Sequence, residues 1–207
     1  SVMDAAKLCS VLKGADYTIR DLLKDPSQAN KQVKTVMIPT TCGTGSEATC
    51  NAIVAIPEEE SKQGIVNDSM IPDYVILDSQ MIRKLPKAIV AATGVDALAH
   101  AVECYTSRKA TPFSDTYAAA GARLIFRNIR EAYDNPDNME AKSSMLLGAF
   151  YGALPSQEAE PQPFTHCPIR WEENTILPTA YPMRSCSHML WNTTKRPAKT
   201  GWHSCAM

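Results

Sequence analysis

The hydrophobic period of this chain changes once, near residues 84–86, and that change restricts its architecture most. Before it lie three short runs of strand length, 35–39 (TVMIP), 50–57 (CNAIVAIP) and 74–78 (YVILD). All three are rich in β-branched residues and bounded by turn formers. After it come three longer stretches with apolar residues at helical spacing, 87–105, 114–133 and 139–152, and no strand signal interrupts them. A mixed part followed by a purely helical part predicts two domains, 1–85 and 86–154. Ahead of the first strand, residues 2–13 have helical spacing, with Asp4 in the first turn, where the positive end of the helix dipole favours an acid. Residues 14–34 are polar, with no predicted element. From residue 155 periodicity disappears, and half of the 14 prolines and all three tryptophans fall between there and residue 207.

Composition removes several classes of function. Hydrophobic residues make up 44% of the 207, enough for a core, while a net charge of −1 gives no electrostatic footing for nucleic acid or an anionic bilayer. No run of 18 apolar residues occurs, so no transmembrane helix is expected. The opening SVMDAAKLCSVLKG lacks the basic flank of a signal peptide, and without an initiating Met it reads as the interior of a longer protein. Seven cysteines, an odd number with no CxxC pair, predict reduced thiols and a cytoplasmic protein.

Two features carry chemistry. PTTCGTGSE, residues 39–47, directly follows the first predicted strand. Its glycines allow close backbone approach to a ligand, and its N–H groups and hydroxyls suit an anion. It is neither GxGxxG nor GxxxxGK[ST], so the pattern alone fits a phosphate cradle and a polar hairpin about equally. The second feature is ATGVDALAHAVECY, residues 92–105, where Asp96 and His100 stand four apart and share one helix face. A carboxylate and an imidazole suit zinc or ferrous iron. The same letters also fit a capping aspartate after Gly94 with a core histidine. Glu103 extends the face, either as a partner of His100 or as a solvated charge. The spacing is not HExxH, which argues against a zinc peptidase. Glu58–Glu60 and Lys62 read as a solvated loop, and Cys9, Cys42, Cys50 and Cys104 as small core or loop residues.

IPTTCGTGSEAT, IPDYVILD and LPKAIVAATGVDALAHAVECY, in this order and spacing, resemble the iron-containing (group III) alcohol dehydrogenases. The opening SVMDAAK resembles the end of that family's GGGSxxDxAK phosphate loop. The likeness runs to about residue 152. It implies an α/β Rossmann-like N-terminal part followed by an all-helical domain, the dehydroquinate synthase-like architecture, incomplete here at both ends. It implies NAD(P) bound by the first part and one divalent metal, Fe²⁺ or in some members Zn²⁺, bound by the second. By position, Ser1, Asp4, Thr40, Thr41, Thr44 and Lys62 fall at cofactor contacts, Gly43 and Gly45 shape the turn, and Asp96 and His100 are the first two metal ligands. The implied activity interconverts a small alcohol and an aldehyde or ketone by metal-assisted hydride transfer, with no catalytic side chain needed beyond the metal site. Members are usually homo-oligomers. A glycerol dehydrogenase or dehydroquinate synthase type of relative, and a non-catalytic nucleotide-binding fragment, are the competing readings.

One departure stands out. The family's two further metal-ligating histidines lie in a segment like HAxxHxxGxxxxxxHG, and this chain continues instead with LPSQEAEPQPFTHCPIRWEEN. Reading its codons one nucleotide earlier permits GIAIAGSGTTAVHALSYPLGGKYHIAHG over residues 153–180. There Trp171 followed by Glu172 forces a glycine. Residues 155–207 are therefore expected to be a frameshifted, non-native tail, leaving weak metal binding and little activity. His166, His188 and His203 lie in it without a helical pattern to aim them.

Overall fold

The computed structural model describes residues 1–107 and 109–154. The expected non-native tail, with His166, His188 and His203, lies outside them. Helix α1 runs Val2–Leu12, and Ser1 and Asp4 form a capping box at its start. The Ser1 hydroxyl accepts the Asp4 N–H, satisfying a backbone donor that the first turn leaves without an intrahelical partner. Its inward face carries Asp4, Lys7, Leu8 and Val11, all buried. A second helix, α2 (Ile19–Lys24), starts from a capping box of Thr18 and Asp21. It lies inside the polar stretch that had no predicted element. Six residues long, with one fully buried side chain, Leu22, it is held by packing and not by periodicity.

The strands form two separate pairs. Strand β1 (Val36–Met37) lies parallel to β4 (Tyr74–Val75), and β2 (Asn51–Ile56) pairs antiparallel with β3 (Ser61–Val66). The three predicted strand runs are present, though two are trimmed to two residues. β3 is a correction: SKQGIV buries only Ile65, so its alternation is faint, and Lys62 sits in this strand opposite Ala55, not in a loop. The hairpin turns at Glu60, at φ 48°. Leu8, Val11, Leu22, Ala52, Ile65 and Met70 make the core of this part.

The helical part follows its pattern closely. Helices α3 (Lys87–Thr106), α4 (Pro112–Asp134) and α5 (Met139–Ala153) pack on one another. Thr111 and Asn138 cap the last two. Their core holds Val90, Ala97, Ile125, Met145 and Leu146, and also Cys42 and Ile82 from the first half of the chain. Small residues let the helices approach closely. A Cβ added at Gly121 would lie 2.8 Å from both Gly148 O and Gly152 N. Lys142 on α5 reaches back to the carbonyls of Ile82 (3.0 Å) and Arg83 (2.6 Å), tying the connecting segment down.

Helix α3 departs from one expectation. At 20 residues it is long and apolar enough on average to cross a bilayer by length and composition alone. Asp96, His100 and Glu103 on one face, and its packing against α4 and α5, give it a different role here.

Gly121→Ala tests the helix contact. The added methyl has only backbone to push against, so unfolding by urea is expected at a lower midpoint, with a loss of about 1–3 kcal/mol typical of overpacking.

Candidate functional site

The turn after β1 is the centre of the site. Ile38 and Pro39 lead out of the strand, and residues 40–45 then cross to the helical part. The Cys42 thiol is buried, 3.6 Å from the Thr93 hydroxyl on α3, and burial pushes its pKa up. Gly43 has no room for a side chain. A Cβ there would stand 3.0 Å from Thr93 Cβ and 3.4 Å from Asp96 Oδ2. Gly45 is in the left-handed region at φ 60°, and its Cβ would stand 2.2 Å from Ala153 Cβ. Gly45 is thus required, for contact with α5 and for backbone conformation, and Gly43 allows the close approach to α3. The turn ends in one 3₁₀ turn, Ser46–Ala48, closed by Ala48 N–H donating to Gly45 O at 2.8 Å.

The N-terminus of α1 meets the far end of this turn. Asp4 is buried, accepts the Ser46 hydroxyl at 2.9 Å and closes the capping box with the Ser1 backbone nitrogen at 2.7 Å. Thr41 is half-buried, while Thr40 and Thr44 are exposed, as is Lys62 on β3. The structure therefore gathers Ser1, Asp4, Gly43, Gly45 and Asp96 along one path, and Lys62 enters none of these contacts.

Asp96 and His100 face each other on α3. Asp96 Oδ1 lies 3.7 Å from His100 Nε2, and His100 Nδ1 lies 3.9 Å from Glu103 Oε2. Asp96 is in mid-helix, so it is not a cap. Its side chain is 19% exposed, and burial raises its pKa, with His100 opposing in part. A desolvated carboxylate beside an imidazole suits a cation. Two ligands on one metal sit about 3–3.5 Å apart, from metal–ligand bonds of about 2.1 Å, so the observed pair needs little adjustment. Among the described residues no group of three or more His, Cys, Asp or Glu is placed to hold a metal. The pair fits as part of a coordination sphere.

Two residues inside the motifs had been given no role of their own. Lys7 is fully buried, and its ammonium donates to Thr49 O (2.8 Å), Thr49 Oγ1 (2.9 Å) and Asn51 O (2.9 Å). Burial lowers its pKa from 10.5 to about 8, against the opposing pull of Asp4, Cys50 and Glu47. Glu47 is also buried, and desolvation raises its pKa, offset in part by Lys7. The available signal was the spacing: Asp4, Lys7, Leu8 and Val11 share one helical face, so a lysine stood where core was expected.

A parallel strand pair, a glycine turn seated on a helix, and an aspartate–histidine pair beneath it describe an α/β-plus-helical dehydrogenase scaffold. Residues 1–79 match the iron-containing alcohol dehydrogenase family, and residues 90–160 match the Fe-containing alcohol dehydrogenase family, C-terminal. This chain belongs to the iron-containing alcohol dehydrogenases. It is 38% identical to long-chain-alcohol dehydrogenase 1 of Geobacillus thermodenitrificans over 157 residues, 74% of this chain and 39% of that protein. Among solved structures, an iron-containing alcohol dehydrogenase of Thermotoga maritima is 38% identical with a TM-score of 0.68, covering 75% of this chain and 42% of that one. Sulfoacetaldehyde reductase of Bifidobacterium kashiwanohense in complex with NAD⁺ is 31% identical with a TM-score of 0.70, covering 74% and 41%. The chain thus spans about two fifths of these relatives. The Rossmann-like plus helical architecture is the one they share.

The buried lysine has a measurable signature. The unfolded chain holds the Lys7 proton up to 10.5, while the folded chain releases it near 8. Between those values the unfolded state binds more protons, so this group makes stability rise with pH, and it contributes no slope below that window. Urea unfolding at about pH 8 and about pH 9 is expected to show a rise of about 1 kcal/mol in the native chain relative to Lys7→Met. The comparison removes the cysteines, whose raised pKa values act in the opposite direction.

Proposed function

We propose that this chain carries the coenzyme turn and part of the metal-binding set of an NAD(P)-dependent alcohol dehydrogenase interconverting a small alcohol and an aldehyde or ketone. The observation that carries the reading is the seat of Gly43 on α3: the turn that would cradle the coenzyme lies against the very carboxylate that would hold the metal. The NAD⁺ bound to the Bifidobacterium relative supports the coenzyme, and the name of the Geobacillus relative, an alcohol dehydrogenase, supports the reaction class.

In this reading Ser1 and Asp4 at the start of α1, with Thr40, Thr41 and Thr44 on the turn, contact the coenzyme, and Gly43 and Gly45 let its backbone come close. Lys62 reaches it from β3. Asp96 and His100 bind the metal, and Glu103 stands 3.9 Å from Nδ1 on the far side of the imidazole. When bound, Fe²⁺ or Zn²⁺ supplies Lewis acidity toward an alcohol oxygen and NAD(P) supplies hydride transfer. The protein's part is to hold a desolvated negative group at Asp96, to present backbone N–H groups on the turn, and to set their separation. The division of labour follows the boundary at 84–86, with the coenzyme on the N-terminal side. The protein is proposed to be cytoplasmic and homo-oligomeric, with no nucleic-acid or membrane partner.

Separate calorimetric titrations with NAD⁺ and Zn²⁺ test this. Both are expected to bind, zinc weakly because the described residues offer two donors. Asp96→Asn and His100→Ala should each lower zinc affinity by at least about tenfold and leave NAD⁺ affinity close to native. NAD⁺ binding without zinc binding would make the chain a nucleotide-binding fragment and overturn the dehydrogenase reading.

A further inference from the structure

We infer that Lys7 is the positioning residue of the coenzyme turn, pinning residues 49–51 to α1 and so setting where residues 43–46 stand beside Asp96. For its coenzyme part this rests on the reading above. Asp4 and Lys7 are three apart and share the inward face of α1. Asp4 holds Ser46, and Lys7 holds Thr49 and Asn51, so the two together hold the exit of the turn at both its ends. Its entry is held independently, by β1 and by Cys42 in the helical core. The gap between the start of α1 and the turn, where phosphates would sit, is then fixed by one carboxylate and one ammonium.

The chemistry of the contact argues for position over bulk. Three acceptors converge on one nitrogen, and only a protonated lysine offers three donors to match. Two of those acceptors are backbone carbonyls, so an apolar side chain of the same size would leave them unsatisfied. The charged groups around the ammonium come from each element packed on α1. They are Asp4 on the helix itself, Glu47 on the turn Ser46–Ala48, and Cys50 beside β2. Asp68, on the turn Asp68–Met70, acts on the Cys50 thiol. Burial pushes the pKa of that thiol up.

Loss of the proton leaves two donors for three acceptors and removes the charge that strengthens the bonds. The local hold on residues 49–51 then weakens, while overall stability rises because burial of a charge is relieved. A lysine that served structure alone would move coenzyme affinity and stability in the same direction. A positioning lysine moves them in opposite directions.

The experiment uses the full chain at several pH values from about 7 to about 9, with Lys7→Met as comparator. It measures NAD⁺ affinity, urea unfolding, and amide hydrogen-exchange protection corrected for intrinsic rates. In the native chain, NAD⁺ affinity should fall about three- to tenfold, on the scale of one hydrogen bond, and protection of residues 46–51 should drop, while unfolding stability rises relative to Lys7→Met. In Lys7→Met the pH break should vanish and residues 46–51 should be loosened throughout. NAD⁺ affinity and the protection of residues 46–51 are read on the native chain by themselves, so failure of the variant to fold leaves that part of the test intact. Unchanged protection of residues 46–51 across this range, or NAD⁺ affinity that rises together with stability, overturns the inference. Loosening of residues 46–51 in a native chain that binds no NAD⁺ supports the positioning role and overturns the coenzyme reading.

Discussion

Everything in this structure turns on a backbone-to-helix contact that leaves little room for a side chain. At Gly43 the turn lies against Thr93 and Asp96 so closely that a single methyl would crowd Thr93 and touch Asp96. That contact brings two separate chemical features side by side. The turn alone is a polar loop, and α3 alone is a helix with an awkward carboxylate. Pressed together, they place backbone donors and a desolvated acid within a few ångströms. Gly45 secures the same turn on its other side, against Ala149 and Ala153 of α5. The helical core thereby reaches into the α/β part, and Cys42 belongs to it.

The rest of the site is held by buried charge, an expensive way to hold a loop. Asp4, Lys7 and Glu47 are all buried in a small region, and desolvation moves the pKa of Lys7 down and that of Glu47 up. Replacing such groups with apolar ones is often neutral or stabilising, whereas removing one partner alone is costly. Their presence is explained by what they bond: Ser46, Thr49 and Asn51, the residues through which the turn is anchored to α1.

Much of this was legible before any coordinates, and what was illegible has physical reasons. The three long helices were visible because a 20-residue amphipathic or apolar pattern repeats often enough to be read, and β2 because NAIVAI is continuous and β-branched. α2 was hidden because six residues hold less than two turns of periodicity. β3 was hidden because its outward face is polar and includes a glycine, so one buried isoleucine was all the signal it had. At the site, spacing singled out the glycines and the Asp96–His100 pair but left their roles open, and the resemblance to a family supplied them. The contact between Gly43 and Asp96 was not, since it joins residues over fifty positions apart. Lys7 was overlooked because a lysine in an amphipathic helix normally faces water, and here it does not.

The central claim, that the turn and the Asp96–His100 pair make one site, can be tested by paramagnetic broadening. Mn²⁺ titrated into ¹⁵N-labelled protein should weaken the amide signals of Cys42, Gly43 and Thr44 together with those of Thr93 to His100. Broadening confined to the exposed acids Glu58–Glu60, with the turn and α3 untouched, would contradict the account.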